Sequence, residues 1–324
     1  MRRDGAPAET NVDDTPVVLL NPRAAGGRAW RLAGPLRRWL SSQAPALSLQ
    51  VVEGIDDARA TLRARPEGSR VVVVGGDGTV HQLLPALLER RLSLGLVPVG
   101  SGNDLARALG LYGLARRDAM TLALNGPASR CDLGELLTET GRIPFASSLA
   151  AGFDAAVAWR AVGGPAWMRG LPRYLWATLV ELAALRPWRL RASVDGVVVH
   201  DGEALFASCL NTPSYGAGMP AVPGARIDDG RLDLLVAGRF GRAGALAMLP
   251  RLLLGRHLSH PEVRTASFAE MRIDCDGALP LAADGEPLGA ARGFTVRVLP
   301  AGLRVVRGRG VLVQNDSAPA LRKT

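Results

Sequence analysis

Three short stretches place glycines and small polar residues directly after apolar runs. They are NPRAAGG (21–27), GGDGT (75–79) and PVGSGND (98–104). Glycines let backbone N–H groups approach phosphate oxygens, and a following helix adds its positive end. Asp77 could bind Mg²⁺ or orient the phosphates, and Thr79 could cap the helix while donating to a phosphate. The pattern predicts a phosphate-binding site.

A Gly-Gly-Asp-Gly turn can also be a plain tight connection in which Asp77 hydrogen-bonds to its own backbone. Three glycine-rich loops at one edge of a sheet favour the phosphate interpretation over that alternative. Neither of two common nucleotide-binding formats is present, since GGDGTV lacks the G-x-G-x-x-G spacing and no G-K-[ST] occurs.

A second acidic pair lies late in the chain, in ADGEP (283–287). On an extended segment, Asp284 and Glu286 would face the same way. One carboxylate could then accept a proton from an attacking hydroxyl, while the other orients it or contacts a metal through water. The alternative is an ordinary β-turn on the surface.

Alternating strands and helices must position the three loops. Four apolar runs predict strands at 16–20, 47–52, 71–74 and 94–99. Helical patterns lie between them, and the first is expected to be interrupted at Gly34-Pro35. This alternation predicts a doubly wound α/β domain with a parallel sheet, in which the loops share the carboxyl edge of the strands.

The sequence pattern changes after about residue 128. Short β-like runs separated by turn signals predict a mainly antiparallel β domain, with one helix within 155–186 and another within 242–256. We predict an α/β nucleotide domain at 16–128, a β-rich substrate domain at 129–314 and disordered tails at 1–15 and 315–324. The last strand could belong to either domain.

Composition narrows the function classes. The net charge is +9 and comes almost entirely from arginine, since Lys323 is the only lysine. Such an excess favours phosphate-bearing ligands, an anionic membrane face or nucleic acid, or reflects a generally basic chain. No nucleic-acid-binding motif is present. Three cysteines without metal-ligand spacing, together with no apolar run of membrane-spanning length, predict a cytoplasmic protein, with contact at the inner membrane face as an option.

The three loops, in order and spacing, resemble the signatures of the soluble diacylglycerol kinase and sphingosine kinase family of lipid kinases, particularly its bacterial branch. Residues 211–236 resemble the family's glycine-rich stretch and D-G-x-L-D segment. Residues 255–263 resemble its G-x-H…P-x-V piece, and ADGEP its D-G-E motif. The resemblance implies an ATP-dependent enzyme that phosphorylates a lipid hydroxyl in a cleft between two domains.

The resemblance also implies roles for individual residues. It places ATP against Asn21, Gly75, Gly76, Asp77, Gly78, Thr79, Ser101, Gly102, Asn103 and Asp104. It makes the D-G-E motif the source of the general base, either Asp284 or Glu286, with Asp77 as a further catalytic residue. It implies a structural Mg²⁺ near Asp229, partly held by the backbone carbonyls of Arg226 and Arg231.

Three positions depart from the family pattern. Ser101 stands where Thr is usual, which keeps the hydroxyl. His81-Gln82 replaces a common Asn-Glu pair, and Val52 stands where some members have a Thr near the adenine.

Two further features have two interpretations each. Arginine must hold the phosphates if any cation does, and Arg23, Arg28 and Arg107 are candidates, although each could equally be a solvated helix residue. Residues 159–190 hold four of the six tryptophans. They fit either a membrane-interface helix or a core helix whose aromatics pack on the sheet.

The sequence therefore predicts an ATP- and Mg²⁺-dependent kinase that phosphorylates diacylglycerol or a similar lipid, with peripheral membrane contact, no nucleic-acid partner and a homodimer as an option. One alternative is a kinase of NAD-kinase type with a soluble acceptor. Another is a regulator that binds lipid or nucleotide without turnover.

Overall fold

The computed structural model describes residues 15–308, apart from positions 45, 140, 166 and 169. The predicted tails lie outside the described residues, except for Thr15.

The amino-terminal part is a parallel sheet in the spatial order β4-β3-β1-β2. Its strands are β1 (Val17–Leu20), β2 (Leu49–Val51), β3 (Arg70–Gly75) and β4 (Ser93–Pro98). Its helices are α1 (Ala24–Gly27), α2 (Ala33–Gln43), α3 (Ile55–Arg63), α4 (Asp77–Glu89), α5 (Asp104–Ala108) and α6 (Arg116–Asn125), with a 3₁₀ turn at Ala29–Leu32. The predicted α/β class is confirmed.

Both faces of this sheet are buried, which explains its unbroken runs of valine. Val71 and Val73 of β3 enter one hydrophobic cluster with residues of α3, α4 and α5. Val72 and Val74 point the other way, into a cluster with residues of α2 and α6. The sheet is therefore doubly wound, as the alternation of strands and helices predicts.

The carboxyl-terminal part is mainly antiparallel. Its strands are β5 (Ala128–Thr138), β6 (Gly141–Phe145), β7 (Ser148–Ala151), β8 (Trp188–Val194), β9 (Val197–Ala204), β10 (Phe206–Leu210), β11 (Leu232–Ala237), β12 (Val263–Phe268), β13 (Glu270–Ala283) and β14 (Glu286–Val306). Its helices are α7 (Phe153–Val162), α8 (Leu171–Ala183) and α9 (Arg242–Leu253), followed by a 3₁₀ turn at His257–Ser259.

Strand β14 joins the two parts. It pairs antiparallel with β13 and β5 along most of its length, and then Arg304 and Val305 pair in parallel with Ser93 and Leu94 of β4. The described strands thus form one continuous 14-stranded sheet. The three glycine-rich loops and the late acidic motif are consequently carried by the same sheet.

Two predicted details of the helices are wrong. Helix α2 is not interrupted at Gly34-Pro35, because Pro35 falls in its first turn, where a missing N–H costs little. The stretch 155–186 holds parts of two helices, α7 and α8, and the intervening Gly163-Gly164-Pro165 is the signal for that break. Within the described residues, no helix is long and apolar enough to cross a membrane.

Candidate active site

The three glycine-rich loops lie at one edge of the sheet. Strands β1, β3 and β4 are parallel, so the residues that follow them emerge together. Asn21 Nδ2 donates to Thr79 Oγ1 at 2.8 Å, which ties the first loop to the start of α4. A Cβ on Gly76 would lie 2.7 Å from Gly100 Cα. Any side chain there would separate the second and third loops.

We call the edge formed by the three glycine-rich loops (21–27, 75–79 and 98–104) the rim. Asp77 connects two loops of this rim rather than bonding to its own turn. The backbone N–H groups of Asp104 and Leu105 donate to its two carboxylate oxygens, at 3.0 and 3.2 Å. Burial, followed by the nearby charge of Asp104 and with a smaller effect from Asp284, raises the pKa of Asp77 to about 7. The simple turn interpretation therefore fails, because this carboxylate caps α5 from a neighbouring loop.

Asp104 connects the rim to the second part of the chain. It accepts hydrogen bonds from the Ser214 hydroxyl (2.9 Å) and from the backbone N–H groups of Ala217 (3.0 Å) and Gly218 (2.8 Å). Burial raises its pKa although these bonds oppose the shift. Its side chain holds the glycine-rich stretch after β10 against the rim.

The late acidic motif is a tight hairpin turn, so the predicted extended geometry is wrong. Asp284 and Gly285 both have positive φ, 49° and 85°, between the ends of β13 and β14. An Asp-Gly pair is a preferred sequence for such two-residue turns. The turn is nevertheless not on the surface, since Asp284 is 8% exposed.

The two carboxylates of this turn have different surroundings. Asp284 accepts from the backbone N–H groups of Ala146, Ser147 and Ser148 at 2.6–3.2 Å, and its Oδ2 lies 3.0 Å from His81 Nδ1. Glu286 has no hydrogen-bond partner among the described residues. Its carboxylate covers the start of α4, where a Cβ on Gly78 would collide with Oε1. Glycine at 78 is what allows this approach.

His81 is a site residue that the sequence did not identify. It lies in the first turns of α4, is 9% exposed, and pairs across the two parts of the chain with Asp284. Burial lowers its pKa, but the hydrogen bond that it donates to Asp284 and the charges of Asp284 and Glu286 outweigh burial and raise it. The only sequence signal was its departure from the family pattern.

One cleft of about 430 Å³ connects these groups. Its polar part is lined by Asn21, Gly76, Asp77, Gly78, Thr79, Ser101, Gly102, Asp104, Asp284 and Glu286. Its apolar part is walled by α7, α9 and strands β10 and β11, with Val157, Phe206, Met219, Leu235, Met248 and Leu252 among the lining residues. Gly75 and Asn103 lie just behind the lining. The predicted nucleotide and base residues are thus brought together in or beside one cleft.

Tyr174 of α8 lies where the two parts of the cleft meet. Burial, followed by the charges of Asp104, Asp77 and Glu286, raises its pKa, so the phenol stays neutral. A Cβ on Gly285 would lie 3.1 Å from its hydroxyl oxygen. Its ring packs beside small residues of α7 and β13.

A buried acid, Asp154, lies in the first turn of α7 and also lines the cleft. It accepts from the Ser208 hydroxyl at 2.5 Å and from the backbone N–H of Ala155 at 2.9 Å. Burial raises its pKa to about 6, although these bonds oppose the shift. The sequence did not single it out, and its contacts attach α7 to β10.

The arginine candidates separate clearly. Arg23 lines the cleft, whereas Arg28 is exposed outside it and Arg107 stacks 3.5 Å from the ring centroid of Tyr112. The interpretation of Arg28 and Arg107 as phosphate ligands is therefore not supported by their placement. Arg173, at the start of α8, lines the cleft instead, with Nη2 bonded to the carbonyl of Pro165 at 2.8 Å. The sequence did not identify Arg173, because only tertiary contacts bring the start of α8 to the cleft.

The proposed structural metal position is a turn before β11. Asp229 Oδ1 accepts from the backbone N–H of Arg231 at 3.1 Å. Burial, with the charges of Asp132 and Asp228, raises the pKa of Asp229, and Arg226 opposes the shift. Among the described residues no group of three or more His, Cys, Asp or Glu side chains could hold a metal ion. Any ion here would depend on fewer than three such side chains together with backbone carbonyls.

Residues 159–190 pack partly in the core and partly face solvent, and membrane contact by this stretch stays a prediction. The inner sides of α7 and α8 bury Ala161, Ala177 and Leu182. Trp159 donates its indole N–H to the carbonyl of Leu281 at 2.9 Å. In contrast, Trp167 between the helices is 78% exposed.

The fold and cleft define a class of protein in which the glycine-rich edge of a parallel α/β sheet and the apolar walls of a mainly antiparallel β part line one cleft. Residues 15–136 match the model of the diacylglycerol kinase catalytic domain, and residues 147–307 match that of the YegS C-terminal NAD kinase beta sandwich-like domain. A "Diacylglycerol kinase" of Mycobacterium tuberculosis is 32% identical over 298 residues, 90% of this chain and 94% of that protein.

Further comparisons point to the same family and fold. A "Probable lipid kinase YegS-like" of Chromohalobacter salexigens is 32% identical over 72% of this chain and 75% of its own. The crystal structure of a diacylglycerol kinase from Bacillus anthracis superposes with a TM-score of 0.69 at 18% identity, covering 92% of this chain and 98% of that one, which supports the fold. The chain belongs to the family of diacylglycerol kinases and YegS-like lipid kinases.

Proposed function

We propose that this protein is an ATP:lipid phosphotransferase that transfers the γ-phosphate of ATP to a hydroxyl of diacylglycerol or a related lipid. The observation that carries the proposal is the single cleft, which is polar at the glycine-rich rim and apolar between α7 and α9. A nucleotide triphosphate suits the first part, and acyl chains suit the second. The carboxylates lie where the two would meet.

The nucleotide would lie along the rim. Backbone N–H groups at the start of α4 and the side chains of Asn21, Thr79 and Ser101 would hold the phosphates. A hollow of about 120 Å³ adjoins the rim and is lined in part by Val52, Ile55, Val73 and Leu83. Its size and apolar walls suit a purine base. Val52 can contribute only apolar contact there.

Arg23 and Arg173 would supply the cationic contacts. They are the two arginines among the described residues of the cleft lining. Arg23 follows the first loop, whereas Arg173 comes from the other part of the chain. A guanidinium on each side would balance the charge of a phosphoryl group that passes between them.

Glu286 is the better candidate for the general base. Both oxygens of Asp284 already accept two hydrogen bonds each, while Glu286 has no such partner among the described residues. Glu286 would take the proton of the acceptor hydroxyl. The deprotonated oxygen would attack the γ-phosphorus. At the same time the bond between the γ-phosphorus and the β–γ bridging oxygen would break, which releases ADP.

The residues of the rim fit a magnesium ion that enters with the nucleotide. Asp77, Asp104 and Glu286 put carboxylates beside the expected phosphates. Burial is the main cause of the raised pKa of Asp77, and the nearby charges of Asp104 and Asp284 add to it. Mg²⁺ commonly binds through one or two carboxylates plus substrate phosphates. When bound, it would neutralise charge on the β- and γ-phosphates. A structural Mg²⁺ near Asp229 stays a prediction.

The rival functions are weaker on specific grounds. A soluble acceptor of NAD type would have no use for the apolar part of the cleft. A regulator without turnover would not need an unpaired carboxylate over the start of α4. Homodimer formation, the absence of a nucleic-acid partner and location at the inner membrane face stay predictions.

The test is product analysis with two matched variants. Purified protein is incubated with γ-labelled ATP, Mg²⁺ and either dispersed membrane lipids or NAD, and products are identified by mass spectrometry. We expect label on a lipid. Glu286→Gln should lower turnover by roughly 10²- to 10⁴-fold with little change in melting temperature.

Asp284→Asn is the companion variant. Its amide NH₂ would face N–H donors, so it should lower stability by about 1–3 kcal/mol as well as activity. Label only on NAD would refute the lipid acceptor, and full activity of Glu286→Gln would refute its role as base.

A further inference from the structure

The glycine-rich stretch after β10 carries a tyrosine, Tyr215, whose backbone is held from two directions. Neighbouring residues of the same stretch donate three hydrogen bonds to Asp104 of the rim, at 2.8–3.0 Å. The N–H of Tyr215 donates to the carbonyl of Met219 at 3.1 Å, and the N–H of Met219 donates back to the carbonyl of Tyr215 at 2.9 Å. The position of Tyr215 beside the rim is therefore fixed before any ligand binds.

The side chain of Tyr215 belongs to the apolar wall of the cleft. The residue is 9% exposed and lines the cleft. It packs in one cluster with apolar residues that also line the cleft, namely Phe206, Met219, Leu235 and Leu252. Its hydroxyl has no hydrogen-bond partner among the described residues. Because a tyrosine hydroxyl in such surroundings ordinarily has a partner, a molecule that enters the cleft has to provide one.

The hydroxyl of Tyr215 acts as a donor throughout the neutral pH range. Burial, followed by the charge of Asp154, raises the pKa of Tyr215 well above its usual value. The phenol therefore keeps its proton. Asp154 already accepts hydrogen bonds from the Ser208 hydroxyl and the backbone N–H of Ala155, so it is held in place without Tyr215.

Other polar side chains in the apolar part of the cleft use their protons within the protein. Thr178 donates its hydroxyl to the carbonyl of Tyr174 at 2.8 Å. His257 Nε2 lies 2.7 Å from the carbonyl of Ala221 and must be the donor, since a carbonyl can only accept. The hydroxyl of Tyr174 is unbonded too, but it lies at the junction with the polar part, beside the acidic turn. Tyr215 is thus the donor that remains within the described apolar lining.

An ester carbonyl suits a single donor in an apolar wall. Each acyl chain of a diacylglycerol begins at an ester, a few bonds from the free hydroxyl, whereas an alkyl ether has no carbonyl. The bonds to Asp104 keep Tyr215 near the rim, where the hydroxyl end of the lipid is expected. We propose that the Tyr215 hydroxyl donates to an ester carbonyl of the acceptor, so that the cleft selects ester-linked over ether-linked lipids. This contact rests on the proposed lipid kinase function.

The experiment compares two short-chain acceptors, dihexanoylglycerol and dihexylglycerol, both dissolved below their aggregation concentrations. They differ only in the ester carbonyls. The kcat/KM of the parent should favour the ester by roughly tenfold, which one hydrogen bond can provide. Tyr215→Phe should lower kcat/KM for the ester by that factor and leave the value for the ether nearly unchanged. A purely structural role of the hydroxyl would lower both values together.

Tyr174→Phe is the matched control, because it removes the other unbonded hydroxyl of the cleft lining. Whatever its effect on turnover, it should leave the ratio of the two kcat/KM values unchanged. Three results would overturn the contact: a parent without preference for the ester, a preference that Tyr215→Phe retains, and a preference that Tyr174→Phe abolishes instead.

A binding measurement without ATP separates this contact from the proposed function. Titration calorimetry should give the parent a Kd for the ester roughly tenfold below that for the ether, and Tyr215→Phe similar values for both. Selective binding without phosphorylation of either lipid would count against the proposed function alone. Phosphorylation of both lipids with equal efficiency would count against the contact alone, and binding of neither lipid would refute both.

Discussion

The His81–Asp284 pair joins helix α4, which begins at the glycine-rich rim, to the acidic turn. Its two side chains are 9% and 1% exposed, and residues more than two hundred positions apart provide them. The groups that act on His81 are Asp284 and Glu286, which favour its charged form, and Arg59 of α3, which opposes it. Because Asp284 also accepts three backbone N–H groups, the pair fixes both the turn and the position of Glu286.

The pair predicts a pH-dependent contribution to stability. The pKa of His81 is raised in the folded state, so its contribution is complete below the unfolded value of about 6.5 and is lost as pH rises through the folded value. His81→Asn keeps a hydrogen-bond donor but not the charge. The parent should exceed the variant in stability by roughly 1.5–3 kcal/mol near pH 5.5 and by clearly less near pH 9.

Urea unfolding at both pH values checks this prediction. The quantity compared is the difference in unfolding free energy between parent and variant at each pH. Asp77 and Asp154, whose pKa values are also raised, are present in both proteins, so their titration cancels in this difference. Gln82→Asn, at the neighbouring position, serves as a control without a pH-dependent difference. A parent–variant difference that is equal at the two pH values would contradict the charged pair.

At the residue level, the sequence identified many residues that line the cleft, but it did not assign the chemical role of each one. The glycine loops and the Asp-Gly-Glu motif could be found because their composition is unusual. The division of labour between Asp284 and Glu286 could not, because it depends on N–H groups of residues 146–148 that fold against the turn. Arg173 and His81 were missed for the same reason, since only tertiary contacts bring them to the site.

Elements were predictable where hydrophobic periodicity was strong. The buried valine strands and the alternation with helices gave the parallel sheet correctly, because both follow from local pattern. The position of α9 beside the cleft could not be predicted from the sequence. Its apolar residues lie all around the helix, so hydrophobic periodicity does not show which side faces a cavity. Likewise, the break between α7 and α8 was hidden in a long apolar and aromatic stretch.

Helix α9 should set the length of acyl chain that the cleft accepts. Ala245 lines the cleft, whereas Ala247, two residues on, is exposed on the other side. Ala245→Trp would fill part of the apolar end. We expect kcat/KM for a long-chain acceptor to fall by roughly tenfold to a hundredfold, with a smaller loss for a short-chain one.

Ala247→Trp is the matched control on the same helix. It adds the same volume outside the cleft and should leave the ratio of long- to short-chain kcat/KM unchanged. An equal loss for both chain lengths in Ala245→Trp would show that α9 does not measure the acyl chain.

Across the whole molecule, β14 makes the two parts depend on each other. Leu303 and Val305 of this strand belong to the core of the parallel sheet, while Phe294 and Val296 belong to the core of the β-sandwich. A single strand with side chains in both cores transmits loss of order from one to the other. This arrangement also keeps the rim and the acidic turn in fixed register, which a phosphoryl transfer requires.

The two parts should therefore unfold in one transition. Val305 is fully buried, so Val305→Ala should destabilise the protein by about 2 kcal/mol through lost apolar burial and a small cavity. In scanning calorimetry the single peak should move to lower temperature as a whole, because β14 couples both cores. Val197→Ala, at an exposed position of β9, should leave it in place. Two peaks, of which Val305→Ala shifts only one, would mean that the cores melt independently despite the shared strand.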